Sequence, residues 1–124
     1  MKTIKISDSK KISGLQKEFN EAFPFLRLEF FHHRHAVNKG SVKKDIFDTD
    51  LTLKQLKKKP NDGAIVLKES MKVSELEELF KNIFGLSVQV FRKSGRSWIE
   101  TTVTNDWTLQ QQNDEGKELS FMNK

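Results

Sequence analysis

The chain has 124 residues, with ten phenylalanines and no cysteine. This length suffices for one domain with a single hydrophobic core. The lack of cysteine excludes disulfides, thiolate metal sites and cysteine nucleophiles, and it is typical of a reducing compartment. The sequence has no apolar run long enough to form a leader or to cross a membrane. It therefore predicts a cytoplasmic protein without a membrane partner.

The formal net charge of +5 comes from one segment. Between His32 and Lys59, eight lysine and arginine residues stand against three aspartates, and the rest of the chain is balanced. A basic segment of this kind suits an acidic partner, either nucleic acid or an acidic protein face. It also suits a merely solvated connection.

An internal repeat organises the predicted elements. The stretch Ile4 to Phe23 aligns without a gap on Ile65 to Phe84, and Leu26 to Phe30 aligns on Leu86 to Val90 after a slip of one residue. The identical positions pair Ile4 with Ile65, Ser9 with Ser70, Lys11 with Lys72, Ser13 with Ser74, Leu15 with Leu76, Phe19 with Phe80 and Phe23 with Phe84. Each unit is predicted to run strand, helix, strand.

In chain order, strands are predicted at about 2–6 and 26–32, flanking a helix that ends before Pro24. A basic insertion with a short helix follows at about 32–61. The second unit has a strand at about 64–68 and a helix that ends before Gly85. The apolar faces of the two repeat helices are predicted to be Ile12, Leu15, Phe19, Ala22 and Phe23, and Val73, Leu76, Leu79, Phe80, Ile83 and Phe84.

Four helix starts have a similar local sequence, in which Ser or Thr precedes Gln or Glu by three residues. This spacing predicts capping boxes. The predicted pairs are Ser13 with Gln16, Thr52 with Gln55, Ser74 with Glu77 and Thr108 with Gln111.

A β-hairpin is predicted in the last third of the chain. A four-residue loop from Lys93 to Arg96 would pair Phe91 with Trp98 in an antiparallel ladder. One face of the hairpin would then be apolar, with Leu86, Val88, Val90, Ile99, Thr101 and Val103.

These elements predict one α+β domain over residues 1–124. Duplicated βαβ units would share one sheet in a ferredoxin-like two-layer sandwich. The repeat halves span about 1–31 and 62–92, the basic insertion about 32–61, and an added C-terminal strand and helix about 97–119. A mixed α/β sheet with another strand order is the alternative.

The stretch FGLSVQVFRKSGRSWIETTVTNDWTLQQQN, residues 84–113, resembles a group of small uncharacterised bacterial proteins. Their pattern has a glycine, an alternating strand, a basic turn, a Trp strand and an Asp-Trp-Thr-Leu helix start. The resemblance implies a bacterial domain and no particular activity.

Three histidines, His32, His33 and His35, lie within four residues. On an extended chain His33 and His35 point the same way and could share a metal ion, but a catalytic site needs three protein ligands. The nearby donors are aspartates of the insertion, and no spaced metal motif occurs. No cofactor or metal is therefore predicted.

A second candidate surface is the sheet face opposite the repeat helices. It would carry Phe31, Phe91 and Trp98 with basic neighbours, which are the ingredients of a base-stacking platform. Alternatively, Phe91 and Trp98 form a structural aromatic pair that the C-terminal helix covers.

We expect a non-enzymatic binding or adaptor domain that recognises an acidic or apolar-anchored partner. The candidate contact residues are His33, Arg34, His35, Lys39, Lys43, Lys44, Phe91, Arg92, Arg96 and Trp98. One alternative is single-stranded nucleic-acid binding through the open sheet face. Another is a metal-assisted hydrolase that uses the segment His32 to His35. The partner is a protein or a nucleic acid, and no pattern specifies an oligomeric state.

Overall fold

The computed structural model describes residues 2–31, 49–57, 59 and 62–122. Within them the protein is an α+β chain. Its elements are β1 (Lys2–Ile6), α1 (Ile12–Ala22), β2 (Leu26–Phe31), α2 (Leu53–Leu56), β3 (Gly63–Leu67), α3 (Val73–Leu79), a π-helical turn (Phe80–Phe84) that continues α3, β4 (Ser87–Ser94), β5 (Ser97–Glu100) and α4 (Leu109–Met122).

The strands of the described residues form two antiparallel sheets instead of one. β1 pairs with β3, while the second sheet has the order β2-β4-β5. The predicted α+β class is confirmed, but the ferredoxin-like arrangement is not, because the strands of the two repeats do not share a single sheet. Within each unit the two strands pair with strands of the other unit and not with each other.

The apolar faces of both repeat helices pack into one core with the inward side chains of the strands. Ile12, Leu15 and Phe19 of α1 are buried, as are Val73 and Leu76 of α3 and Phe80 and Phe84 of the turn that follows. The helices end where predicted, before Pro24 and at Gly85, whose φ of 65° is left-handed. Ile83 is an exception, because its side chain is 40% exposed instead of buried.

The starts of α1 and α2 cap each other through backbone hydrogen bonds. The first N–H groups of each helix donate to carbonyls of the segment that precedes the other. The bonds are Ile12 N–H to Leu51 O (2.9 Å), Ser13 N–H to Thr49 O (3.0 Å), Leu53 N–H to Lys10 O (2.8 Å) and Lys54 N–H to Asp8 O (3.1 Å). These bonds satisfy donors that a helix start otherwise leaves unpaired.

The same bonds recur between α3 and α4 in the second half. They are Val73 N–H to Trp107 O (3.0 Å), Ser74 N–H to Asn105 O (2.8 Å), Leu109 N–H to Met71 O (2.8 Å) and Gln110 N–H to Glu69 O (3.1 Å). The residues that form these bonds at the start of α1 correspond to residues 61 positions later, and those at the start of α2 correspond to residues 56 positions later. The correspondence between the halves therefore extends to the helix that closes each half.

Two of the predicted capping boxes are confirmed and two are wrong. Thr52 N–H donates to Gln55 Oε1 (2.8 Å), and Thr108 N–H donates to Gln111 Oε1 (2.8 Å). At α1 and α3 the cap position is occupied by Lys11 and Lys72 instead of serine. The reciprocal backbone bonds already satisfy these helix starts, so the helices begin before the serines.

The hairpin of β4 and β5 has a different register from the predicted one. Lys93 pairs with Trp98 and Ser94 with Ser97, around a two-residue turn in which Gly95 has a φ of 63°. Phe91 therefore faces Glu100, and the predicted pair of Phe91 with Trp98 is wrong. The predicted strand is also too long, because β5 ends at Glu100 and Val103 is 83% exposed.

Candidate functional site

The candidate site lies on the face of the β2-β4-β5 sheet that points away from the repeat helices, called the outer face here. Side chains alternate along a strand, so the residues between the core positions of β2 and β4 share this face. The cross-strand register places Arg27 beside Phe91, Glu29 beside Gln89 and Phe31 beside Ser87. On the β5 side, Phe91 faces Glu100 and Lys93 faces Trp98.

Trp98 is the centre of a cationic cluster on the outer face. The guanidinium carbon of Arg27 lies 5.9 Å from the centroid of the Trp98 ring. The Nζ atom of Lys93 lies 5.9 Å from the same centroid. At this distance the electron-rich face of an indole attracts a cation, by about 0.5–1 kcal/mol at exposed sites. The adjacent strands β2 and β4 thus bring two positive charges to one half-buried aromatic ring on β5.

A carboxylate partly balances this cluster. Arg27 Nε lies 2.5 Å from Glu29 Oε1, and the Glu29 side chain is only 7% exposed. A buried carboxylate needs such a partner because an isolated buried charge is costly. Directly opposite Glu29, the buried amide of Gln89 donates to Val90 O (3.1 Å). Its Oε1 atom is buried without a hydrogen-bond partner within the described residues.

Arg92, one of the predicted contact residues, does not belong to this cluster. It faces α4, where its Nη1 donates to Gln112 Oε1 (2.9 Å) and its guanidinium carbon lies 5.7 Å from the centroid of Trp107. Gln112 in turn donates to Thr104 O (2.8 Å). Arg92 therefore anchors α4 to the sheet, on the side opposite Phe91 and Trp98.

The same contacts show where α4 packs. The helix meets the Arg92 side of β4, and its Asn113 Oδ1 accepts the N–H of Phe25 (2.9 Å). Phe91 and Trp98 lie on the other face of this sheet. The α4 helix therefore does not cover them in the described structure, in contrast to the sequence-based alternative of a covered aromatic pair. Both side chains are half-buried.

The remaining predicted contact residues separate into two groups. Arg96 lies in the exposed hairpin turn, beyond the pair of Lys93 and Trp98. The basic insertion residues His33, Arg34, His35, Lys39, Lys43 and Lys44 lie outside the described residues. Arg27 and Lys93 are not among the predicted contact residues, although side-chain alternation along β2 and β4 places them on the outer face.

The described residues give no indication of a metal centre or a membrane span. No group of three or more His, Cys, Asp or Glu side chains among them could hold a metal ion. No helix in the part of the chain that the structure describes is both long and apolar enough to cross a membrane.

Comparison with known proteins yields no relative. The chain matches no family model, no curated protein and no solved structure.

Proposed function

We propose that the protein is a non-enzymatic binding domain whose outer face receives an acidic segment of a partner protein. The observation that supports this proposal is the pair of cations at Trp98. Arg27 and Lys93 come from different strands and lie equally close to one aromatic ring. Cations and an aromatic side chain in one patch are typical of interface anchors, where arginine and tryptophan are enriched.

Binding would exploit the groups that the cluster leaves accessible. The Arg27 side chain is 48% exposed even though it pairs with Glu29. Lys93 is half-buried beside Trp98, and Arg96 extends the positive charge into the hairpin turn. A carboxylate of the partner can therefore meet two or three cations while an apolar side chain packs on the indole. The basic insertion would add to the long-range attraction.

Single-stranded nucleic acid is the second candidate, since Phe91 and Trp98 are accessible aromatic side chains beside cations. Glu29 and Glu100, on the same face, would oppose the phosphates. Nucleic acid carries a phosphate at every nucleotide, whereas a protein segment can place a carboxylate at the cations and uncharged residues beside the two glutamates. This difference favours an acidic protein segment over nucleic acid. The metal-assisted hydrolase rests on histidines outside the described residues and stays a hypothesis from the sequence.

An NMR titration tests the proposal. The ¹⁵N-labelled protein is titrated at low salt with a synthetic dodecapeptide of alternating glutamate and leucine, and separately with a mixed-sequence single-stranded RNA. We expect the peptide to shift the amides of β2, β4 and β5 and the indole N–H of Trp98. Lys93→Gln should weaken peptide binding about two- to fivefold, as for an exposed ion pair.

The matched control is Lys17→Gln, which removes the same charge from an exposed position of α1. If both variants weakened peptide binding equally, the peptide would be held by general charge attraction, and this result would contradict the proposed site. Larger shifts at Phe91 and Trp98 with RNA than with peptide would favour the nucleic-acid candidate.

A further inference from the structure

A groove of about 470 Å³ lies between β3 and α3, on a part of the molecule distant in sequence from the outer-face strands β2 and β5. One wall is the strand, with Ala64 and Val66, and the other is the helix, with Leu79 and Ile83. Met71, in the turn that joins strand and helix, closes the apolar floor. We call this the β3–α3 groove.

The groove exposes apolar side chains of the kind that proteins usually bury. Val66 is 39% exposed and Ile83 is 40% exposed. Leu79 and Ile83 are one helical turn apart, so they present a continuous apolar edge along the helix wall. Adjacent exposed apolar side chains that line a concave surface mark a binding groove more often than isolated ones do.

The strand wall is also a sheet edge. β3 pairs with β1 on one side, and in the described residues no strand pairs with its other side. In an antiparallel ladder, alternate residues direct their N–H and C=O groups away from the partner strand. An edge of this kind is a template for pairing with another extended chain.

The other half of the protein provides an internal comparison. Met71 and Leu79 occupy the positions that Lys10 and Glu18 have in the first repeat, 61 residues earlier. There, Lys10 Nζ lies 2.6 Å from Glu18 Oε2 and bridges the turn and the helix α1. Val66 likewise corresponds to the lysine Lys5, and Ile83 to the small residue Ala22. The second repeat thus has large apolar side chains where the first has an ion pair, a lysine and an alanine.

The charged residues at one end of the groove indicate which charge a bound segment should carry there. Lys68 and Glu75 lie at the end next to the turn. Glu75 Oε1 already accepts the N–H of Lys72 (3.1 Å), whereas Lys68 forms no ion pair within the described ranges. An acidic group of the occupant would therefore be favoured next to Lys68.

We propose that the β3–α3 groove binds an extended peptide segment that adds to the edge of β3 as a further strand. The segment carries apolar side chains at alternating positions, which face Val66, Leu79 and Ile83. An acidic residue lies at the end that meets Lys68. Backbone hydrogen bonds to the strand edge supply affinity, and the apolar wall of α3 supplies selectivity.

Selection from a library of random dodecapeptides against the immobilised full chain tests this inference. Enriched peptides should share alternating apolar residues and an acidic residue at one end. Their binding should weaken at least tenfold in Met71→Lys/Leu79→Glu, which places the ion pair of the first repeat in the groove. Val66→Lys, at an exposed position that is lysine in the first repeat, should have a similar effect and is the variant less able to disturb folding.

The matched control is Lys10→Met/Glu18→Leu, which makes the reverse exchange in the first repeat and should leave peptide affinity unchanged. Hydrogen exchange provides the second measurement, because an added strand protects those backbone amides of Gly63–Leu67 that do not point towards β1. The inference would be overturned if no peptide is enriched, if enriched peptides bind all variants equally, or if these amides stay unprotected. Dimerisation that Val66→Lys abolishes would overturn it as well, by assigning the edge to a second copy of the chain.

Discussion

Ile4 and Ile65 lie directly opposite each other in the β1–β3 ladder, and they are also equivalent positions of the two sequence repeats. The neighbouring pairs are related in the same way, since Lys2 with Leu67 corresponds to Gly63 with Ile6. The two strands are therefore related by an approximate two-fold axis that passes between Ile4 and Ile65.

In the second sheet, equivalent residues of the two repeats also lie opposite each other, but their offset in the sequence is 60 residues instead of 61. Glu29 lies opposite Gln89, its equivalent at an offset of 60 residues. Each repeat therefore finds its strand partners in the other repeat, for β1 as for β2. Neither unit can complete a sheet alone within the described structure, and we expect both to unfold in one cooperative transition.

The first prediction concerns Glu29, which forms an ion pair with Arg27. Arg27→Ala should destabilise the protein by about 1–2 kcal/mol, because it leaves the buried Glu29 carboxylate without its ion-pair partner. Glu29→Gln in the same chain should recover part of the loss, since a neutral amide is less costly to bury. Urea unfolding of both single variants and the double variant measures the coupling. Simple additivity of the two single changes would contradict this interpretation of the pair.

The faces of the strands could be predicted from the sequence, but the pairing could not. Side-chain alternation has a period of two, so a slip of two residues keeps every side chain on its face. The sequence therefore predicts correctly that Phe91 and Trp98 share a face, while the partner of Trp98 is Lys93 instead of Phe91. The turn at Gly95, with its positive φ, determines which register forms.

Long-range backbone contacts explain the other differences. Serine at α1 and α3 is a good cap by residue type, but the carbonyls of a distant segment take over that role. The functional hypothesis was limited in a similar way. Residue type made Arg92 as plausible a contact residue as Lys93, and only the position of α4 shows that Arg92 points to Gln112.

The confirmed cap of α4 leads to the second prediction. Gln111 N–H donates to Thr108 Oγ1 (3.1 Å) while Thr108 N–H donates to the Gln111 side chain. Thr108→Ala should lower the free energy of unfolding by about 1 kcal/mol, as is usual for loss of a capping hydroxyl. Thr108→Ser keeps the hydroxyl and should retain most of the stability. Chemical denaturation distinguishes the two, and equal losses would attribute the effect to packing of the threonine methyl group.

Two helical glycines are predicted to respond in opposite directions to alanine. A Cβ at Gly116 of α4 would lie 2.9 Å from Phe25 Cβ and 3.1 Å from Arg92 Cγ. Gly116→Ala should therefore destabilise the protein by about 1–2 kcal/mol, because overpacking exceeds the gain in helix propensity. A Cβ at Gly14 of α1 would meet its nearest neighbour, Lys10 Cγ, at 3.9 Å.

Gly14→Ala is thus the matched control. It should stabilise the protein by about 0.5–1 kcal/mol, because alanine lowers the conformational entropy of the unfolded chain. Thermal unfolding of the two variants provides the comparison. A stabilised Gly116→Ala protein would mean that α4 can move away from Phe25 at little cost.

The last prediction concerns pH and the ion pairs of Lys57. Its Nζ lies 2.7 Å from Asp8 Oδ1 and 2.7 Å from Asp62 Oδ1, and its side chain is only 3% exposed. Burial of the ammonium lowers the pKa of Lys57, but the hydrogen bonds that Lys57 donates to Asp62 and Asp8 outweigh burial and raise the pKa above 10.5. The hydrogen bond from Lys57 lowers the pKa of Asp8 below its ordinary 3.8.

The signs of these shifts define the pH window. A carboxyl group with a lowered folded-state pKa stabilises the protein above its unfolded pKa, and this contribution is lost as pH falls through the folded pKa. A lysine with a raised folded-state pKa contributes fully below its unfolded pKa, and the contribution is lost as pH rises through the folded value. The stabilisation is therefore complete between about pH 5 and pH 9 and decreases outside that range.

Lys57→Met should remove this dependence while it keeps an apolar stem in the buried position. We expect its midpoint of urea unfolding to lie below that of the wild type at pH 7 and to approach it as the pH falls below 3.8. Lys17→Met, at an exposed position of α1, is the control and should leave the difference between pH 7 and pH 3 unchanged. If the Lys57→Met midpoint stayed equally far below the wild type from pH 7 to pH 2, the lysine would contribute through packing and not through Asp8, because protonation of the carboxyl group would then make no difference.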